Sequence, residues 1–461
     1  MPTSDTNHKR ALIVGAGLVG SLWAIFLAKR GYEVSVYERR KDLRRVGYAG
    51  GRSINLAMSE RGWAAVTKAG ILDKIRAVAI PMHGRMMHAL DGTLASQAYG
   101  KADEAIYSVS RGGLNLELLH IASEYPNIKF YFQHRCLGLD GDGSLISFEN
   151  EQTGEQTTLD SPLIFGTDGA FSAVRSSLQK QPRFNFSQSY LEHGYKELHI
   201  PADENGCHVL DKNVLHIWAR KSFLMIALPN SDGSFTCTLF HPFAGAEGFD
   251  ALQSDEQIRS FFQKYFADAV PLMPDLLQDF KQNPTSTLVT MRCSPWQYQH
   301  RVLLMGDAAH AIVPFYGQGM NSGFEDCTIL DDLAEQHADN WEVILDEFNA
   351  TRIPDADAIA ELAHRNFVEM RDLVGDPMFL LRKKIAARLH EKYPDSFLPV
   401  YSMISFSNTP YSVALREDDA QNQLFDQIFS LPNIAQQWES AAVDAIFERW
   451  RAAREFAHQL S

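Results

Sequence analysis

A chain of 461 residues exceeds what one ordinary hydrophobic core can serve, so two or three domains are expected. Its 45% hydrophobic and 22% charged residues exclude a disordered chain. The 43 basic and 57 acidic residues leave a formal charge of −14, which argues against nucleic acid or an anionic membrane as partner, since phosphate binding needs clustered Lys and Arg.

In chain order, residues 11–28 form a charge-free run that on length alone would suit a signal peptide or a membrane span. The run divides, however, into a strand-like piece (Ala11 to Val14), a glycine turn and a helical piece ending at Lys29-Arg30-Gly31, with a second strand over 32–37. That order is a buried βαβ unit. The spacing of Ala65, Val66, Ala69 and Leu72 predicts a helix over 61–77. Residues 128–150 read as strands with turns at Gly138 and 140–143, and 163–166 as a buried strand before a helix start at Ser172. From about 184 to 292 alternating segments (195–200, 214–218, 223–228, 235–240) predict an antiparallel sheet, with a hairpin turn from Pro229-Asn230 and Asp232-Gly233. Residues 256–282 look helical, and 301–308 return to a buried strand. From Gly317 the chain is mostly helical, with a break over 394–411. The five cysteines, odd in number and without a CxxC pair, suit neither a disulfide framework nor a metal site, so a reducing, cytoplasmic setting is expected.

The chemistry begins at Gly15-x-Gly17-x-x-Gly20, between the first strand and the first helix. Gly15 permits the tight bend, Gly17 lets backbone approach a pyrophosphate, and Gly20 lets helix and strand pack closely. The helix N-terminus offers free N–H groups to phosphates. Glu38, at the end of the next strand, stands where a carboxylate accepts hydrogen bonds from a ribose diol. This unit serves NAD and FAD alike. Asp168-Gly169 and Gly306-Asp307, each at a strand end, add carboxylates placed to bind ribityl hydroxyls, although each alone reads equally well as a turn or N-cap residue.

With these three motifs in this order, the chain resembles the single-component class A flavoprotein aromatic hydroxylases. Blocks at 51–57, 193–198, 215–218, 225–230, 235–240 and 313–321 are similar to those of the kynurenine 3-monooxygenases within that group. The likeness runs from about residue 10 to 412. It departs at the C-terminus, where the hydrophobic anchoring tail of eukaryotic members has no counterpart in 413–461, so a soluble form without a membrane anchor is implied.

The resemblance implies an α/β fold: a Rossmann-like FAD-binding domain (1–75, 106–182 and 293–380) interrupted by a mainly antiparallel β-sheet substrate domain (76–105 and 183–292), with a C-terminal helical region (381–461). It implies tightly bound FAD, NADPH as transient co-substrate and O2, with L-kynurenine hydroxylated to 3-hydroxykynurenine through a flavin C4a-hydroperoxide. No side chain is required as acid or base. It assigns Glu38 to the adenosine ribose, Arg111 to the flavin's polar chain, Asp307 to ribitol or pyrophosphate, and Ala57, Met320 and Asn321 to the ring. Leu18, Val19, Arg39, Cys136, Asp168 and Gly319 join the glycines in the cofactor set. For substrate it implies a carboxylate clamp of Arg85, Tyr99, Asn366 and Tyr401, with Glu369, Phe240, Pro314, Phe315 and Met370 around the ring. Plain core is the competing reading for the last four, and a satisfied core histidine for His193 and His310. A hydroxylase of another small aromatic keeps every flavin motif, an NAD dehydrogenase keeps only the first, and a non-catalytic flavoprotein keeps the fold. A homodimer is compatible with the sequence.

Overall fold

The computed structural model describes residues 9–47, 54–99, 104–141, 143–373 and 376–460. Gly51, Arg52 and Ser53 of the 51–57 block lie outside them.

Residues 11–28 are strand, turn and helix. Arg10–Val14 pairs in parallel with Glu33–Glu38 on one side and Ile164–Gly166 on the other. The full sheet runs 297–298, 302–304, 164–166, 10–14, 33–38, 128–132, parallel except at the 297–298 edge. Helix Leu18–Lys29 is buried from Gly20 to Ala28, which explains its uncharged sequence: it is wrapped by protein on all sides. Strand 10–14 feeds neighbours on both sides, so the crevice at the carboxyl ends of these strands is a topological switch point, where α/β sheets bind ligands. The glycine turn, Asp168 and Gly306-Asp307 all follow strands of this sheet and meet at that one edge.

The second sheet is ordered 286–294, 185–200, 235–242, 224–229, 214–219, 84–88, 94–98, antiparallel except where 84–88 lies parallel to 214–219. Its two faces follow the period-2 alternation of strands. Trp218 and Leu239 pack against Phe261, Phe262 and Phe266 of the helical 255–282 segment. Ile217, Leu224 and Phe240 face the other way, onto Val313, Phe315, Ala363 and Phe367. A small sheet of Asn55–Met58, Ile106–Ser110 and Ile80–Met82 stands beside the two large ones. The C-terminal helices have a core of their own, around Leu381, Ile385, Leu424, Phe425 and Phe447.

Two elements differ from expectation. The helix expected over 61–77 is two, Glu60–Lys68 and Leu72–Arg76, because Gly70 takes φ +75° between them. The break over 394–411 holds a short helix, Val400–Ser405. Among the described residues no helix is long and apolar enough to cross a membrane.

Candidate active site

At the glycine turn, Gly15 adopts φ +100°, and a Cβ there would meet the Thr167 carbonyl at 2.7 Å. A Cβ on Gly20 would stand 2.0 Å from the Gly15 carbonyl, so only glycine lets the helix pack this close. A Cβ on Gly17 would meet nothing within 4 Å, which leaves open space in front of a helix start without a side-chain cap. Such a cradle fits a pyrophosphate. Val19, in the first turn, packs against Gly306 and Gly323, locking the first helix, the Gly306-Asp307 turn and helix Gly319–Gln336 together. Asn115, which sequence reasoning missed, braces the turn by donating to the Ala16 carbonyl at 3.0 Å.

Glu38 is buried at its strand end, accepting from the Ala16 N–H at 2.8 Å and from Arg40 Nε at 2.8 Å. Burial works to raise its pKa, but the hydrogen bonds from Arg40 and Ala16 prevail and hold it below the ordinary value. The neighbour that grips it is thus Arg40, although both Arg39 and Arg40 are exposed. Asp168 is engaged within the protein. Its carboxylate accepts from Ser172 Oγ at 2.5 Å and from the Ala173 and Val174 N–H groups at 2.7 and 3.3 Å, so it anchors a helix start. Burial raises its pKa, and burial also pushes the nearby Cys136 thiol up to about 12. Asp307 and Arg111 are both exposed, each as the first residue of a helix.

Asn321 is likewise spoken for. Its amide donates to the Ala57 and Gly317 carbonyls at 2.8 Å each, and its oxygen accepts from the Ser59 N–H at 3.0 Å. The side chain therefore cannot turn to a flavin; it staples strand Asn55–Met58 to the start of helix Gly319–Gln336. That helix begins at Gly319 and Met320 without a side-chain cap, so its first backbone N–H groups are free for an acceptor.

The clamp residues converge from three elements. Arg85 comes from strand Gly84–His88, Tyr99 directly follows strand Leu94–Ala98, and Tyr401 lies on helix Val400–Ser405. The guanidinium lies 5.4 Å from the Tyr99 ring and 4.8 Å from the Tyr401 ring, and the two rings stack at 5.5 Å. Arg85 Nε and Tyr99 Oη are buried without a hydrogen-bond partner. Burial disfavours the Arg85 charge, but the neighbouring phenols outweigh it and raise its pKa. Burial raises the Tyr99 pKa, so that phenol stays a donor. A guanidinium with a buried, unpaired Nε, phenols beside it and no carboxylate partner among the described residues is suited to an anion. Asn366 is close but occupied, donating to the Phe315 carbonyl at 2.7 Å, so it shapes the wall instead of offering its amide. Phe240 and Phe315 pack at 4.9 Å, and Phe367, absent from the sequence reading, joins Phe315 at 4.3 Å. Met370 completes this cluster, with Tyr316 stacked on Tyr401 at 5.8 Å. Pro314 opens the short turn that carries Phe315 and Tyr316. Glu369 starts a π-helical turn and pairs with Lys383 at 3.6 Å. Tyr316 lies within the 313–321 block and so is within reach of the sequence; Phe367 gives no signal beyond helical periodicity. His193 and His310 are bonded within the fold, to the Ser222 carbonyl and to Asp326.

The model of the FAD binding domain family matches residues 9–363. A kynurenine 3-monooxygenase of Flavobacterium johnsoniae is 47% identical over 432 residues, covering 94% of this chain and 96% of that protein. The chain belongs to the kynurenine 3-monooxygenase family. Kynurenine 3-monooxygenases of Dictyostelium discoideum and Sus scrofa are 45% and 44% identical, covering 91% and 90% of the chain and 93% and 88% of their own lengths. Among solved structures, 2-methyl-3-hydroxypyridine-5-carboxylic acid oxygenase superposes with a TM-score of 0.65 at 20% identity, over 80% of this chain and 94% of its own. Pseudomonas aeruginosa PqsL in complex with 2-aminobenzoylacetate gives 0.64 at 20%, over 79% and 97%. These two share the fold. The cofactor is FAD, and the open Gly17 cradle, the buried Glu38 and the two uncapped helix starts fit it.

Proposed function

We infer that the protein hydroxylates L-kynurenine at the ring carbon beside its arylamine, consuming NADPH and O2. The observation that carries this reading is the buried, unpaired pair of Arg85 Nε and Tyr99 Oη, joined through Tyr401 and Tyr316 to the aromatic cluster of Phe240, Phe315 and Phe367. Kynurenine is an α-amino acid at one end and an aminophenyl ketone at the other. Its carboxylate satisfies Arg85, with the phenols of Tyr99 and Tyr401 as further donors. Its ring then lies among Phe240, Phe315 and Met370, toward Ala57 and Gly317, whose Cβ and built Cβ positions are 3.0 Å apart beside the start of helix Gly319–Gln336.

When bound, FAD supplies the redox chemistry and the activation of oxygen. The chain's own residues hold and enclose. Glu38 and the Gly17 cradle fix the adenosine and pyrophosphate. The free N–H groups at Gly319 and Met320 favour negative charge at the ring edge they face. The arylamine already makes its ring electron-rich, so the walls need only orient it and keep water out. In this reading 1–75, 106–182 and 293–380 hold the flavin, 76–105 and 183–292 the substrate, and 381–461 closes over both. The test is to incubate the flavin-loaded protein with NADPH, oxygen and L-kynurenine. Kynurenine should stimulate NADPH oxidation and gain one oxygen by mass; no stimulation would remove the substrate assignment.

A further inference from the structure

Arg61, on helix Glu60–Lys68, is 1% exposed and takes part in neither the cradle nor the clamp. Its Nε donates to Glu325 at 2.9 Å. Its Nη1 donates to the carbonyls of Ile404 at 2.5 Å and Ser407 at 2.9 Å, and its Nη2 to that of Thr409. The guanidinium lies over the Tyr411 ring, 3.9 Å from its centre. These carbonyls mark the end of helix Val400–Ser405, the helix that carries Tyr401, and the loop that follows. Carbonyls at a helix end lack partners within the helix, and a cation there answers both their hydrogen bonding and the dipole.

Behind Arg61 runs a chain of buried charge. Arg352 donates to Glu325 at 2.9 Å and to Asp326 at 3.0 Å. Asp326 accepts from the Gly306 N–H at 2.9 Å and pairs with His310. Tyr411 donates to Gln318, the residue before helix Gly319–Gln336, at 2.9 Å. The segment bearing Tyr401 is thus tied through Arg61 to the Gly306-Asp307 turn and to the start of that helix. Arg61 also stands only four residues after Ala57, so one short stretch of chain reaches both the ring side of the pocket and the Tyr401 helix.

We propose that Arg61 is a positioning residue for the reaction: by gripping the end of helix Val400–Ser405 it holds Tyr401 in register over Arg85. This rests on the clamp reading above. The planar fork of a guanidinium meets several carbonyls and a carboxylate at once, whereas a Lys ammonium cannot span them. An ordinary buried ion pair would act on stability alone.

The test is a double-mutant cycle on the FAD-loaded, full-length protein, with Arg61→Lys, Tyr401→Phe and the combination. Flavin content, kcat and KM for L-kynurenine are measured for each. Residues coupled through one network are non-additive, so Arg61→Lys should raise KM about five- to tenfold with kcat within about twofold, and add under about twofold to KM in the Tyr401→Phe background. KM effects that multiply, or an unchanged KM in Arg61→Lys, overturn the positioning role while the clamp stands. An unchanged KM in Tyr401→Phe overturns both. Should Arg61→Lys lose its flavin, Glu325→Gln keeps Arg61 and loosens its anchor, and the same cycle with the same two outcomes decides.

Discussion

Replacing Arg85 with Met separates binding from stability, because the structure predicts opposite signs for the two. The guanidinium is buried over two phenol rings with its Nε unpaired, and the described residues give it no carboxylate partner. In the proposed complex it would make two charge-assisted hydrogen bonds to the substrate carboxylate, worth about 1.5–3 kcal/mol each. Losing both costs about 3–6 kcal/mol, and Tyr99 and Tyr401 stay behind as donors, so the lower end applies: about a hundredfold in kcat/KM at 1.4 kcal/mol per decade. Removing one partner of a satisfied buried ion pair would cost about 3–5 kcal/mol of stability. Here no charged partner is left behind, so the melting temperature should hold or rise. The assays are kynurenine-stimulated NADPH oxidation and thermal unfolding of the flavin-loaded protein. A kynurenine analogue without the α-carboxylate adds a control, since wild type should discriminate against it and the variant should not. A marked fall in melting temperature with KM unchanged would show Arg85 to be a structural cation and refute the clamp.

Gly17→Ala and Gly20→Ala should part ways. A methyl at Gly17 enters open space at φ −75°, so the apoprotein should melt as wild type but lose flavin absorbance, whereas a methyl at Gly20 meets the Gly15 carbonyl at 2.0 Å and should cost soluble protein. Glu38→Gln should destabilise at pH 7. The folded pKa of Glu38 lies below its ordinary 4.5, so its contribution is complete above that value and vanishes as pH falls through the folded one. Urea unfolding of both proteins should therefore converge at low pH; a constant gap would refute the charge's role. Tyr401→Phe should weaken kynurenine binding by one hydrogen bond, about 0.5–1.5 kcal/mol, as read by titration; equal affinity would take the phenol out of the clamp.

What was legible in the sequence is what depends on local backbone constraint. The bend at Gly15, the close packing at Gly20 and the carboxylate at the end of the second strand follow from spacing alone, and the parallel sheet gathers them at one edge. The strands of 185–242 also declared themselves, by strand-length segments and the hairpin turn between Pro229 and Phe235. Residue type misled where a side chain's job is decided by neighbours far along the chain. Asp168 reads as a ligand for a diol or as an N-cap, and in the fold its carboxylate holds the helix start at Ser172 and Ala173. The side chain of Asn321 is taken up by Ala57, Gly317 and Ser59, which leaves only its backbone, at the helix start, to face a ring. Arg39 and Arg40 differ by one position, and only the end of the strand settles which of them turns back to Glu38.

The substrate end of the site was legible as a set of residue types but not as an arrangement. Arg85, Tyr99 and Tyr401 are separated by up to 316 positions, and nothing local joins them. What joins them is a sheet edge (84–88 with 94–98) on one side and a short helix on the other, in a stretch whose composition reads as a break between helices. A six-residue helix is too short to hold itself in water. Its order comes from outside, from the stacking of Tyr401 on Tyr99 and Tyr316 and from the carbonyls that Arg61 gathers at its end. The proposed clamp is therefore made of one rigid half, Arg85 on and Tyr99 just past a pair of strands, and one half that is only as rigid as its tether. That asymmetry is why a substitution at Arg61, outside the pocket, is expected to register in KM.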